Sequence, residues 1–203
     1  SNGATWDMSG LAVFYANLGT GTFRVGDPTN SGGTATAAST LILPPSSTLI
    51  ATTITSDSPA GAVVQLIKLG SGVNTLQATT ITIGGSANRG QGALSFASAG
   101  GSLMIRDLAG TGRAAMNVQN GAASTGYATS GAVDLAGHSA DLLLSTLAIG
   151  GKSAGTAGSG TGTFSFDTGT LNATTVNLAA RTGTTLQTTP VTGTLNLGGG
   201  TST

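Results

Sequence analysis

Thr75-Leu76-Gln77-Ala78-Thr79-Thr80-Ile81-Thr82-Ile83 is one of three close copies of a single phrase, the others being Thr48-Leu49-Ile50-Ala51-Thr52-Thr53-Ile54-Thr55 and Thr170-Leu171-Asn172-Ala173-Thr174-Thr175-Val176-Asn177-Leu178. Apolar residues alternate with polar ones on each side of the Thr-Thr pair, which is the period of a half-buried strand. Across the pair the parity changes: Leu76 and Ala78 belong to one phase, Ile81 and Ile83 to the other. A one-residue offset turns every later side chain to the opposite face unless the chain bends or bulges there. The Thr-Thr step is therefore predicted to be a corner between two strands.

Looser copies begin at Ser102 and Asp141, so the starts fall at 48, 75, 102, 141 and 170, with steps of 27, 27, 39 and 29. A second phrase, glycine and a small residue followed by an apolar-polar-apolar triplet, recurs as Gly21-Thr22-Phe23-Arg24-Val25, Gly92-Ala93-Leu94-Ser95-Phe96, Gly131-Ala132-Val133-Asp134-Leu135, Gly162-Thr163-Phe164-Ser165-Phe166 and Gly193-Thr194-Leu195-Asn196-Leu197. Repeats of this length cannot bury their own apolar face and must stack on one another. Four-stranded propeller blades need more residues than most of these steps supply.

The expected fold is all-β: a right-handed parallel β-helix, or solenoid, of six or seven coils with 27 to 31 residues each, filling 1–203 as one domain. Residues 1–20, rich in aromatic side chains, are read as the first coil or a cap. The long step places an inserted loop at 110–129, and Gly151 to Gly162 reads as a long corner. Helix is disfavoured by the abundance of Gly, Thr, Ser, Asn and Val.

Composition narrows the function classes. Charged residues make up 7% of the 203, with seven acidic and seven basic side chains scattered along the chain. No basic surface for nucleic acid is built from such spacing, and nucleic acid is not an expected partner. The apolar runs fall far short of the roughly 20 residues of a spanning helix, so no membrane span is expected. Cysteine is absent, which removes disulfides, thiolate metal sites and thiol nucleophiles.

The runs Gly160-Thr161-Gly162-Thr163-Phe164-Ser165-Phe166-Asp167-Thr168-Gly169-Thr170-Leu171 and Gly193-Thr194-Leu195-Asn196-Leu197-Gly198-Gly199-Gly200-Thr201 resemble the autotransporter-associated β-strand repeats of very large secreted bacterial proteins. The resemblance extends over most of the chain from about residue 20. It implies a right-handed parallel β-helix at the bacterial cell surface or outside the cell, part of a longer chain, serving as a scaffold without catalytic residues.

No catalytic, cofactor or metal site is assigned from the residues. The one cluster with the elements of a metal site or general base is Asp134, His138 and Asp141, against which stands a plain role on a strand and its corner. Asp107, Asp134 and Asp167, with Tyr127, are the residues a polysaccharide lyase or glycoside hydrolase would gather in one groove. Outward Thr53 and Thr55, Thr80 and Thr82, and Thr175 with Asn177 are expected to form ladders, interrupted by Asp107 and Ala148, that support strand edges; an unbroken array would suit ice. Trp6, Phe14, Tyr15 and Phe23 cover the first coil or form an adhesive patch.

The function expected is that of an extracellular structural or adhesive scaffold. Gly193 to Thr201 begins a further coil, so the expected partners are a second copy stacked end to end or neighbouring repeats of a longer chain, with surface glycans as the alternative.

Overall fold

Threonine, valine and isoleucine in alternation favour extended backbone, and glycine supplies the corners between strands. The computed structural model describes residues 3–26, 37–58, 63–85, 90–121, 128–153, 158–182, 189–199 and 201–202, and these form strands and turns without a helix. All pairings are parallel. Among the described residues no helix is long and apolar enough to cross a membrane.

One sheet stacks β1 (Thr5–Asp7), β4 (Thr40–Ile42), β6 (Val64–Leu69), β8 (Gln91–Phe96), β11 (Thr129–Asp134), β13 (Gly160–Phe166) and β16 (Val191–Leu197) in that order. The other is built on β2 (Val13–Asn17), β5 (Ser46–Ser56), β7 (Val73–Ile83), β10 (Ala114–Gly121), β12 (Ser139–Ser153), β14 (Thr168–Leu178) and β17 (Thr201–Ser202). Three shorter strands complete it: β3 (Thr22–Val25) on β5, β9 (Ser102–Arg106) between β7 and β12, and β15 (Arg181–Thr182) on β12. The chain alternates between the sheets, so each turn lies on the one before it, about 4.8 Å away.

The predicted bend sits where the sequence puts it, inside a continuous strand. Between β5 and β7 the register passes from Ala51↔Ala78 to Thr53↔Thr80, and between β12 and β14 from Leu144↔Ala173 to Thr146↔Thr175. The first residue of each Thr-Thr or Ser-Thr pair drops out of the ladder. Each turn thus has three straight runs, one in the first sheet and two in the second, around a common interior.

Inward side chains align in columns along the axis. In the first sheet Trp6, Leu41, Ile67, Leu94, Val133, Phe164 and Leu195 are in register. Leu49, Leu76, Ile105, Leu142 and Leu171 line the first run of the second sheet, and Phe23, Ile54, Ile81, Met116, Leu147 and Val176 line the other. Glycines 92, 131, 162 and 193 form their own column. A methyl group at Gly92, Gly131 or Gly193 would overlap the carbonyl oxygen of Ser56, Ile83 or Ile149, so the second phrase begins with glycine because two runs meet there backbone to backbone.

Several expectations need correction. About five turns are complete, not six or seven, because the strands of the first turn are only three to five residues long and the described part of the last holds only β16 and the two-residue β17. The stretch 110–129 is not an inserted loop: Ala114–Gly121 is β10, paired with β7 and β12, and Thr129 opens β11. The extra residues are 107–113, between β9 and β10, at the same bend where 18–21 separate β2 from β3. That bend interrupts the ladder anyway, so length is added there without unpairing a strand.

Two repeat assignments also shift. Met104, not Ser102, stands in register with Thr75, a displacement of two residues that alternation alone does not reveal. Gly21 to Val25 matches the glycine phrase in sequence, but Phe23 pairs with Ile54 in the second sheet. Gly151 to Ser153 continues β12 instead of starting a corner, and residues 154–157 lie outside the described residues.

Candidate functional site

Asp134, His138 and Asp141 lie near one another in sequence but serve three separate partners. Asp134 ends β11 and accepts a hydrogen bond from the Ala136 N–H at 3.2 Å. His138 turns back to the Gly100 carbonyl through Nδ1 and stacks on Phe96, with centroids 3.8 Å apart and planes 9° from parallel. Asp141 stands in β12 and pairs with Arg106 of the previous turn. Among the described residues no group of three His, Cys, Asp or Glu side chains is placed to hold a metal ion.

The three aspartates of the groove hypothesis are likewise divided. Asp107 closes the 107–113 excursion, accepting from the N–H groups of Thr111 at 3.1 Å and Gly112 at 2.8 Å. Asp167 lies between β13 and β14 and accepts from Gly137 N at 2.7 Å, near the end of β11 where Asp134 stands. Asp134 and Asp167 therefore share a corner that Asp107 does not reach. Tyr127 lies outside the described residues.

The threonine ladder is longer than the sequence suggests, with Thr22, Thr53, Thr80, Ala115, Thr146 and Thr175 in one register. Ala115 interrupts it, and Asp107 is not part of it. Ala148 does interrupt the neighbouring column, which runs Arg24, Thr55, Thr82, Asn117, Ala148, Asn177. Thr55 and Ala148 are buried in that column, so it offers no flat open array.

Sequence reasoning missed two polar clusters. Arg24 of β3 forms an ion pair with fully buried Asp57, whose Oδ1 also accepts from Thr55 Oγ1 at 3.2 Å. One turn separates these residues in space but 33 positions in sequence, and the irregular repeat length hides the relation. In the other cluster Gln119, at a left-handed φ of 54°, donates through Nε2 to Thr129 Oγ1 at 2.7 Å and to the Gly151 carbonyl at 3.0 Å. Beside it Lys152 is buried and donates to the Gly158 carbonyl. Burial, followed by the positive charge of Arg181 on the next strand, holds its amine below the ordinary lysine range.

At the N-terminal end the interior opens into a hollow of about 170 Å³, lined by Trp6, Phe23, Arg24, Val25, Thr40 and Leu41 among others. Trp6 occupies the inward column of β1, yet it is 56% exposed because no strand lies beneath it among the described residues. Its ring meets Phe14 edge-on, with centroids 6.0 Å apart and planes at 74°. Phe14 and Phe23 pack against the core from the same turn. Tyr15 points outward. A smaller hollow of about 110 Å³, lined by Ser9, Ile42, Pro45 and Ser71 among others, has no charged lining residue.

No family model, no curated protein and no solved structure matches this chain.

Proposed function

We propose that the chain is an extracellular structural solenoid, a segment of a rod that lengthens by adding turns at its C-terminal end. The observation that carries this reading is the exposure of the last complete turn. Val176 and Leu178 of β14 stand in register with Leu147 and Ile149 of β12, which are buried, yet they are 44% and 48% exposed. These side chains stand in the interior columns, and the strand edge beside them has no partner among the described residues, which is a template for another parallel strand. A second copy stacked end to end, or further repeats of a longer chain, supplies that strand.

Supporting the reading are the low charge and the resemblance to secreted bacterial repeats. Negative-stain electron microscopy over a concentration series is the test. The expected result is rods that join end to end as concentration rises, and substitution of Val176 and Leu178 by Lys keeps them single. Single rods at every concentration, with and without those substitutions, would remove self-stacking.

A further inference from the structure

We infer that the outer face of the first sheet is a docking surface for a second copy of this chain, lying side by side with the first and turned end for end. The contact goes beyond the reading of a lengthening rod, since turns added at either end extend this face and do not cover it.

Strand parity decides what the face presents. Ile67, Leu94, Val133 and Phe164 turn to the interior, so Leu66, Ala93 and Ala132 form one outward column, and Ile42, Lys68, Ser95, Asp134 and Ser165 form the next. Ala132 and Asp134 are exposed, and the others are half-buried. Bulk is uneven along the axis: Ile42, Leu66 and Lys68 stand on β4 and β6, the smaller Ala132, Asp134 and Ser165 on β11 and β13, with Ala93 and Ser95 of β8 between them. Lys68 has no ion pair among the described residues, and it lies two turns, about 10 Å, from Asp134, too far to pair within one chain. Asp134 Oδ1 accepts from the Ala136 N–H, while Oδ2 has no donor among the described residues.

A two-fold axis along β8, between two facing sheets, reverses the order of the turns and keeps each column opposite itself. It sets β6 against β11 of the second copy and β4 against β13. Lys68 of each copy then faces Asp134 of the other, giving two ion pairs on either side of Ser95. Leu66 meets Ala132 and Ile42 meets Ser165, so bulk on one copy falls where the other is small. A two-fold axis along the rod would instead keep β6 against β6 and leave both charges without an opposite partner. Five strands about 4.8 Å apart and about 20 Å long cover about 1,000 Å² on the two copies together, the lower limit for a specific interface, so the dimer is weak.

The test uses chains carrying Val176→Lys and Leu178→Lys, which removes end-to-end joining, and reads mass by sedimentation equilibrium at low salt. A monomer–dimer equilibrium is expected, with half-association between about 10 µM and 1 mM. Lys68→Asp alone and Asp134→Lys alone set like charges against each other and should each weaken it roughly tenfold or more; together they should restore it to within about threefold. Because the chain has no cysteine, Ser95→Cys adds a single thiol on the axis, and a short bismaleimide should join it to its counterpart. Ser165→Cys, about 19 Å from its own counterpart, should stay unjoined. Should a charge reversal unfold the chain, the two cysteine variants decide alone. A monomer at every concentration up to about 1 mM, a dimer indifferent to either single reversal, no recovery in the double variant, or Ser165→Cys joining as readily as Ser95→Cys would overturn the assignment. End-to-end joining changes the length of the rod and lateral pairing its width, so either can fail without the other.

Discussion

The phrase of β7 and that of β14 are nearly the same words in different surroundings. Ile81 and Ile83 are fully buried, whereas Val176 and Leu178, at the same positions three turns later, are about half exposed. The backbone parity is identical, as is the break at the Thr-Thr pair. What differs is the neighbour: β7 lies between β5 and β9 with β10, while the second run of β14 has β12 on one side and no described strand on the other. Burial in this molecule is thus a property of the stack, not of the phrase, as expected where each repeat contacts only its neighbours.

The corner that follows is left-handed in each of these turns. Gly84 and Gly150 have φ of 70° and 68°, and a methyl group on either would overlap the carbonyl of Ser130 or Thr192 in the strand passing over it. In the last complete turn the equivalent residue is Ala179, at φ 50°, with its N–H bonded to the Ile149 carbonyl at 2.9 Å. Gln119 holds the same corner at φ 54° in an interior turn, so position in the stack does not alone decide which residue stands there. At Ala179 and Gln119 the backbone strain is roughly 1–2 kcal/mol for a side chain in the left-handed region.

The largest effect that sharpens this comparison is expected at the interior corner. Gly84→Ala combines left-handed strain with a backbone overlap, and should cost about 3 kcal/mol or more in denaturant unfolding or prevent folding. A loss below about 1 kcal/mol would mean that the corner yields more readily than the packing implies.

Core truncation comes next. Ile81→Ala removes a fully buried side chain between two stacked turns and should cost about 2–5 kcal/mol, whereas Val176→Ala should cost less than about 1 kcal/mol on single rods. Equal losses would break the comparison, since they would place Val176 in a core that the stack does not show. The smallest effect is at Ala179: Ala179→Gly relieves the left-handed strain and should stabilise the chain by about 0.5–1 kcal/mol, seen as a raised unfolding midpoint.

Alternation and the parity change at Thr79-Thr80 were enough to place the corner between two strands, because each strand face is set by local residues. Glycine at 92, 131, 162 and 193 marked where runs meet, although its reason, the carbonyl of another turn, becomes visible only in three dimensions. The excursion at 107–113 was misplaced because β10 carries Ala114-Ala115 where β12 has Leu144 and Thr146, so the phrase could not be recognised inside the long step. The pairing of Arg24 with Asp57 needs the register of β3 on β5, which the glycine phrase at Gly21 assigned to the wrong sheet. The aromatic cluster was legible from composition near the N-terminus; the hollow beneath Trp6 was not, since it depends on which strand lies next to β1.

Amide hydrogen exchange at Thr174–Leu178, compared with Thr79–Ile83 in dilute and concentrated samples, tests most directly the claim that the last complete turn is an interior turn awaiting its neighbour. The account predicts slow exchange at Thr79–Ile83 in both samples, and fast exchange at Thr174–Leu178 that becomes slow as rods join. Equal protection of the two segments in dilute solution, or an edge that stays fast in joined rods, would contradict it.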